Sequence, residues 1–263
     1  MLPETMPVCP VRGSVIYPTM VMPIDAGRPI SIRAIDEALA RDRVLLIVSQ
    51  RDKEVETPRP SDLFEVGTAC NILKMRKNPD GSVQVLVQAF ARVRVREWLD
   101  LGDHLEARGE VLADEPGEPI LVKALVREVK DKFQALLKEG KYLAPEVAQF
   151  ILNLEDPSQL ADYVAFHMDF RLEDKQKVLE TANVAERLRA VLVLLEAELA
   201  LIETQRRIQQ QVKEEIDRNQ REYFMREQMK AIQRELHGEE GEQEVEEFRR
   251  KLEALDLPPV VRQ

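Results

Sequence analysis

Cysteine, histidine, glycine and aromatic residues are all scarce in this chain. Its two cysteines, Cys9 and Cys70, stand far apart and outside any C-x-x-C, which leaves no disulfide framework. Its three histidines, His104, His167 and His237, lack metal-ligand spacing. The six serines sit in no G-x-S-x-G elbow and have no convincing neighbouring base. No glycine-rich P-loop pattern is present to cradle phosphates. No apolar run approaches the length of a membrane span, so no membrane partner is expected. Without a secretory signal at Met1, the two thiols lead to the expectation of a reducing, cytoplasmic setting. The net charge of −10 speaks against a general binder of nucleic acid or anionic membrane. These absences point away from an enzyme active site and toward surfaces for binding, and neither a cofactor nor a metal is expected in this chain.

What is present is dominated by residues 183–237. This stretch has neither glycine nor proline, opens on the capping-box form Asn183-Val184-Ala185-Glu186, and meets Gly238 as a C-terminal stop. One continuous helix of that span would be about 80 Å long. Leu188, Val191, Leu192, Leu195, Leu199 and Ile202 form a stripe that a local bundle can bury. Between residues 203 and 222 only Ile208, Val212 and Ile216 are apolar. Tyr223, Phe224, Met225, Met229, Ile232 and Leu236 then return. The pattern predicts an arm with a root in a domain, a wet shaft and a sticky tip; a helix folded back on its own chain is the alternative.

The first 113 residues read as β-rich. Residues 7–24 are broken by Pro10, Gly13, Pro18 and Pro23 into short strands and turns. Gly27-Arg28-Pro29 opens a helix with Ile32, Ile35, Ala38 and Leu39 on one face. The run of residues 44–48, VLLIV, has the look of a central strand. Asn78-Pro79-Asp80-Gly81 is a turn between two strands, and Val83, Val85 and Val87 alternate with Gln84, Leu86 and Gln88. Arg92, Arg94 and Arg96 alternate with Val93 and Val95. They read as a solvated face paired with carboxylates rather than a nucleic-acid site, since no aromatics are interleaved for stacking.

Residues 114–119, DEPGEP, form a hinge-like linker. Helical spacing follows over residues 120–202: Leu121, Leu125, Val129, Phe133, Leu136 and Leu137, a stop at Gly140, and new starts at Pro145 and Asp156-Pro157. His167 falls on a face expected to be buried. The projecting arm is expected over residues 203–237. Residues 238–263 read as an acidic break with one more amphipathic segment (Val245, Phe248, Leu252, Leu255), leading toward a further module.

More apolar side chains stand at Tyr17, Pro18, Met20, Val21, Met22 and Pro23 than a solvated loop needs. Met75 and Trp98 are further large apolar groups near strand ends. Flexible methionines suit a surface that accepts varied apolar segments. Val21 and Trp98 are assigned to the core; Tyr17, Pro18, Met20, Met22 and Met75 are the candidate contacts.

These stretches resemble the amino-terminal region of the Lon family of ATP-dependent proteases. The likeness runs through PVCPVRGSVIYP (7–18), MVMPI (20–24), DLFEVGT (62–68), PDGSVQVLV (79–87), DPSQLAD (156–162), DKQKVLE (174–180) and NQREYFMREQMKAIQREL (219–236). Gly13, often Asp or Asn in the family, and His237, inserted before the glycine, are departures. The resemblance implies an α+β fold: a PUA-like β pseudo-barrel, a helical bundle subdomain and one very long helix. It implies recognition of unfolded or damaged proteins for a homohexamer whose AAA+ module binds ATP and Mg and whose Ser–Lys dyad cleaves. None of those nucleotide or dyad residues maps onto this chain. On this reading Tyr17, Pro18, Met20, Met22 and Met75 meet clients, while Ile216, Tyr223, Phe224, Met225, Met229 and Ile232 meet neighbouring arms. The competing readings are a coiled-coil scaffold that only gates access, and DNA binding through the three arginines.

Overall fold

The computed structural model describes residues 2–140 and 143–254, without the side chains of residues 236–244 and 253. Six strands form one mixed sheet: β1 (Met6–Val11), β2 (Val21–Ala26), β3 (Val44–Ser49), β4 (Val66–Lys77), β5 (Val83–Asp100) and β6 (Leu105–Val111). Only β1 and β3 run parallel; the other pairings are antiparallel. At 18 residues β5 is long enough to serve two neighbourhoods. Its first half pairs with β2 and β4, and its second half with β6. Through it the strands β5, β4, β3, β1 and β6 close into a ring, with β2 appended as an edge. Register shifts at Ala69/Cys70, Ile72/Lys74 and Val95/Glu97 supply the bends that closure needs.

The VLLIV run is apolar throughout because both faces of β3 are covered. Leu45 and Ile47 enter one core with α1 (Pro29–Ala40), while Val44, Leu46 and Val48 enter a second core with β6 and Leu63. The β4–β5 turn closes as its residues require: Gly81 takes φ +84, and Asp80 Oδ1 accepts from Ser82 N at 2.9 Å.

Helices α2 (Pro119–Lys138), α3 (Pro145–Leu152), α4 (Pro157–His167) and α5 (Leu172–Glu180) follow, then α6 (Val184–Glu253). Leu125, Val129, Phe133 and Leu136 of α2, Leu160 and Val164 of α4, and Leu188, Val191 and Leu195 of α6 are buried. Asp156 caps α4, accepting from Ser158 N at 2.8 Å and Gln159 N at 3.0 Å. Asn183 caps α6, accepting from Ala185 N at 3.1 Å and Glu186 N at 3.2 Å.

Two compact units divide the chain, Met1–Leu201 and Ile202–Gln263. Sheet and bundle therefore belong to one unit. The linker between them is tied down rather than hinge-like: Glu115 N donates to Ala182 O and Val184 N donates to Glu115 O, both at 3.0 Å. In the second unit α6 does not stop at Gly238 but stays helical to Glu253, so residues 238–253 are no acidic break. An interior glycine costs a helix only about 1 kcal/mol, and Glu239, Glu240, Glu242, Gln243 and Glu244 are good helix formers. Residues 255–263, with Leu255 and the expected connection to a further module, lie outside the described residues.

Candidate functional site

The outer face of the β2–β5–β4 sheet is built by period-two alternation. On β5, Val83, Val85, Val87 and Ala89 are buried, so Gln84, Leu86, Gln88 and Phe90 turn outward. Opposite them on β2 stand Asp25 (across from Gln84), Pro23 (from Leu86) and Val21 (from Gln88). On the other side Lys74 faces Leu86, and the shift at Ile72/Lys74 leaves Leu73 exposed at the bulge. Val21 is 54% exposed, Leu73 46% and Phe90 38%. Pro23 is also exposed and Leu86 half-buried. One sheet surface thus presents five apolar side chains among Gln84, Gln88, Asp25 and Lys74.

The expected contacts fall largely on the other side of the strand. Tyr17, Pro18 and Met20 are buried. Tyr17 is a peg: its hydroxyl donates to Lys175 O at 2.8 Å, joining the barrel to α5. Met22 and Met75 are half-buried against the α1 core, because Met22 faces the buried Val87 and Met75 the buried Val85. Val21, assigned to the core, is instead outside. Trp98 packs partly against the second core. Alternation held in β2, but its phase was set by the valines of β5, which the sequence of β2 alone does not show. The signal that could have found the outer face was Leu86 and Phe90 sharing the phase of Gln84 and Gln88.

The three arginines do not share a solvated face. Arg92 is buried and ion-paired at the seam between barrel and bundle. Its Nη2 donates to both oxygens of Asp162 at 2.5 Å, its Nη1 lies 3.3 Å from Asp114, and its Nε donates to Leu179 O at 3.2 Å. Arg187 of α6, fully buried, donates to Asp114 at 2.7 Å, to Ser158 Oγ at 2.7 Å and to Thr181 O at 2.9 Å. Burial pushes the Asp162 carboxyl up to about 6, against the attraction of Arg92 and Arg187. Burial also opposes the Asp114 carboxylate, yet hydrogen bonds from Arg187 and Ser158 hold it below the ordinary range. Gln176 adds a bond from Nε2 to Val66 O at 2.8 Å. Arg96, by contrast, is exposed and pairs with Glu110. With Arg92 enclosed, the three arginines do not form one exposed face.

A second aromatic group lies on the bundle. Phe150 is exposed, its ring 5.1 Å from that of Tyr163 in edge contact. His167, expected in the core, is half-buried between Tyr163 and Phe166. In the second unit Ile216, Tyr223, Phe224, Met225, Met229 and Ile232 are all at least half exposed.

Residues 5–197 match the family model of the ATP-dependent protease La (LON) substrate-binding domain. The chain belongs to the Lon family. It is 39% identical to the Lon protease of Escherichia coli (strain K12) over 253 residues, which is 96% of this chain and 32% of that protein. It is 42% identical to Lon protease 1 of Thermus thermophilus over 262 residues, 98% of this chain and 33% of that protein. The chain thus spans about a third of the length of these Lon relatives. Among solved structures, the N-terminal domain of Mycobacterium avium complex Lon protease superposes with a TM-score of 0.61 at 27% identity, covering 73% of this chain and 98% of that one. The family-model match ends inside α6, whereas the match to the Lon relatives runs over nearly the whole chain. The outer sheet face and the buried charge cluster both fall within the family-model match, whereas Ile216 to Ile232 do not.

Proposed function

We propose that this chain is the client-recognition part of a Lon-type ATP-dependent protease, and that the outer β2–β5–β4 face grips apolar segments of unfolded or damaged polypeptides. The observation that carries this reading is the grouping of Val21, Pro23, Leu73, Leu86 and Phe90 on one solvent-facing surface of the matched domain. A native protein buries its apolar segments, so such a face discriminates by what the client exposes. Covering one of these side chains is worth at most about 1.5–3 kcal/mol before ordering costs, so a single copy binds weakly and without strict sequence preference. Self-association of the second unit through Ile216, Tyr223, Phe224, Met225, Met229 and Ile232, ultimately as a homohexamer, would convert weak contacts into avidity. ATP hydrolysis and peptide cleavage belong, on this reading, to the remaining two thirds of a full-length Lon protein.

Binding of one labelled client, heat-unfolded and native, tests it by fluorescence anisotropy. The unfolded form binds about tenfold tighter or more, equivalent to covering about one apolar side chain. Equal affinity for the two forms would refute the reading.

A further inference from the structure

A solvent-open cavity of about 310 Å³ lies beside β1 and β2, strands that do not pair with each other. Cys9, Ile16, Met22 and Ile24 give it an apolar lining, and Arg12 and Arg28 bring two guanidinium groups to it. Arg28 donates to Pro10 O at 2.6 Å, to Gln50 Oε1 at 2.9 Å and to Glu56 O at 3.4 Å. Each of these acceptors is neutral. Arg12 donates to Val55 O at 3.0 Å and pairs at 3.1 Å with Glu56, whose side chain is well exposed. The one carboxylate on the lining, Asp25, accepts from Gln84 at 2.8 Å on the outer sheet face. Burial, and then the like charge of Arg12, hold the pKa of Arg28 below the ordinary arginine value. The first turn of α1 adds no acidic residue to compensate.

The cavity therefore offers a partly buried guanidinium whose hydrogen bonds go to neutral acceptors, next to an apolar lining; the Glu56 carboxylate attracts it from the exposed side, where it is paired with Arg12. A guanidinium fork matches a carboxylate in geometry as well as charge. The volume is at the low end for ligand pockets, which run about 300–1,000 Å³, and has room for a chain end rather than a folded partner. Pro23 belongs both to the lining and to the outer apolar face, so a polypeptide lying on that face can end here.

We infer that this cavity takes the free C-terminal carboxylate of an unfolded polypeptide whose last residue is apolar. Arg28 binds the carboxylate, Arg12 supports it from the rim, and the last side chain rests against Ile16, Met22 and Ile24. The inference rests on the client-recognition reading above and adds a chain-end preference to it.

The test uses the 263-residue chain and a short dye-labelled apolar peptide ending in leucine, as the free acid and as the C-terminal amide. Anisotropy titration reads the acid about tenfold tighter or more, the scale of a charge-assisted hydrogen-bond pair. Arg28→Gln removes that preference, so that acid and amide bind alike. Arg12→Gln, at the more exposed position, reduces the preference by a smaller factor and reads the site even if Arg28→Gln fails to fold. Phe90→Ser weakens acid and amide alike, because it acts on the face. Equal binding of acid and amide, or a preference that survives both arginine variants, overturns the carboxylate site. The face stands in that case if Phe90→Ser still weakens both peptides, and falls with it if Phe90→Ser does nothing. Acetate competes with the acid peptide; displacement by inorganic phosphate but not by acetate would assign the cavity to phosphoryl groups and overturn the proposal.

Discussion

Along β5 an exposed phenylalanine ring and a buried guanidinium stand two residues apart, Phe90 and Arg92. The outward side chains of residues 84–90 are exposed or half-buried, whereas Arg92 meets α4 and α5 through Asp162 and Leu179. The same strand thus turns apolar groups to water in one half and a charge to the interior in the other. What decides is the layer packed over each half, not the residue type. An apolar group left exposed is available to a partner. A charge taken inside needs its counter-charges, and here they come from Asp114 of the linker and Asp162 of α4, which also serve Arg187 of α6. Within two residues the strand departs from the usual inside–outside rule in opposite directions.

The comparison breaks most visibly at the seam. Asp162→Ala leaves Arg92 without its bidentate partner and Arg187 with less compensation, and should cost about 3–5 kcal/mol in urea unfolding, the usual penalty for stranding a buried charge. A cost below about 1 kcal/mol would mean that the cluster is solvated and the seam loose. Replacing Arg92 and Asp162 together by Met and Leu should recover most of that loss, since a packed apolar pair removes both desolvation penalties.

The acid side of the same cluster sharpens the point. Burial raises the Asp162 carboxyl in the fold to about 6 from its ordinary value of 3.8. Its contribution to stability is therefore present at low pH and is lost as pH rises through about 6. Asp114 is lowered, so its contribution runs the other way and is lost on acidification. Asp162→Asn should remove the component of stability that declines between pH 4 and 6, read from urea midpoints across that window. An unchanged pH profile would show that Asp162 does not titrate there.

Tyr17→Phe probes the peg between barrel and α5 and should cost about 1 kcal/mol, the net worth of one hydrogen bond. That is a test of Tyr17 as a structural residue: a loss of client affinity without loss of stability would return it to the binding surface. Smallest in stability is Leu86→Ser on the outer face, expected within about 0.5 kcal/mol of the parent. Its effect should appear instead as weaker binding of an unfolded client.

Local patterning in the sequence carried much of the fold. The double-faced β3 strand, the turn at Asn78–Gly81, the caps at Asp156 and Asn183 and the long helix all follow from residue chemistry within a few positions. The candidate surface was less legible, for two physical reasons. Tyr17, Pro18, Met20 and Met22 are apolar in a proline-broken segment, but which of them faces water depends on pairing with a strand some sixty residues away. Arg92 has the same alternation as Arg94 and Arg96, and only the docking of Asp162 and Arg187 makes it an interior residue. The stop at Gly238 failed differently: a glycine flanked by strong helix formers is a weak terminator when no left-handed cap is formed around it.

Crosslinking addresses the central claim most directly. A photoreactive group distributed along an unfolded client, followed by mapping of the adducts, reports where the chain grips. The account predicts adducts concentrated on residues 21–25, 73–76 and 84–90, and their loss on addition of unlabelled unfolded client. Adducts confined to the Phe150–Tyr163 aromatic group of the bundle, or to residues 223–232 of α6, with none on the outer sheet face, would contradict it.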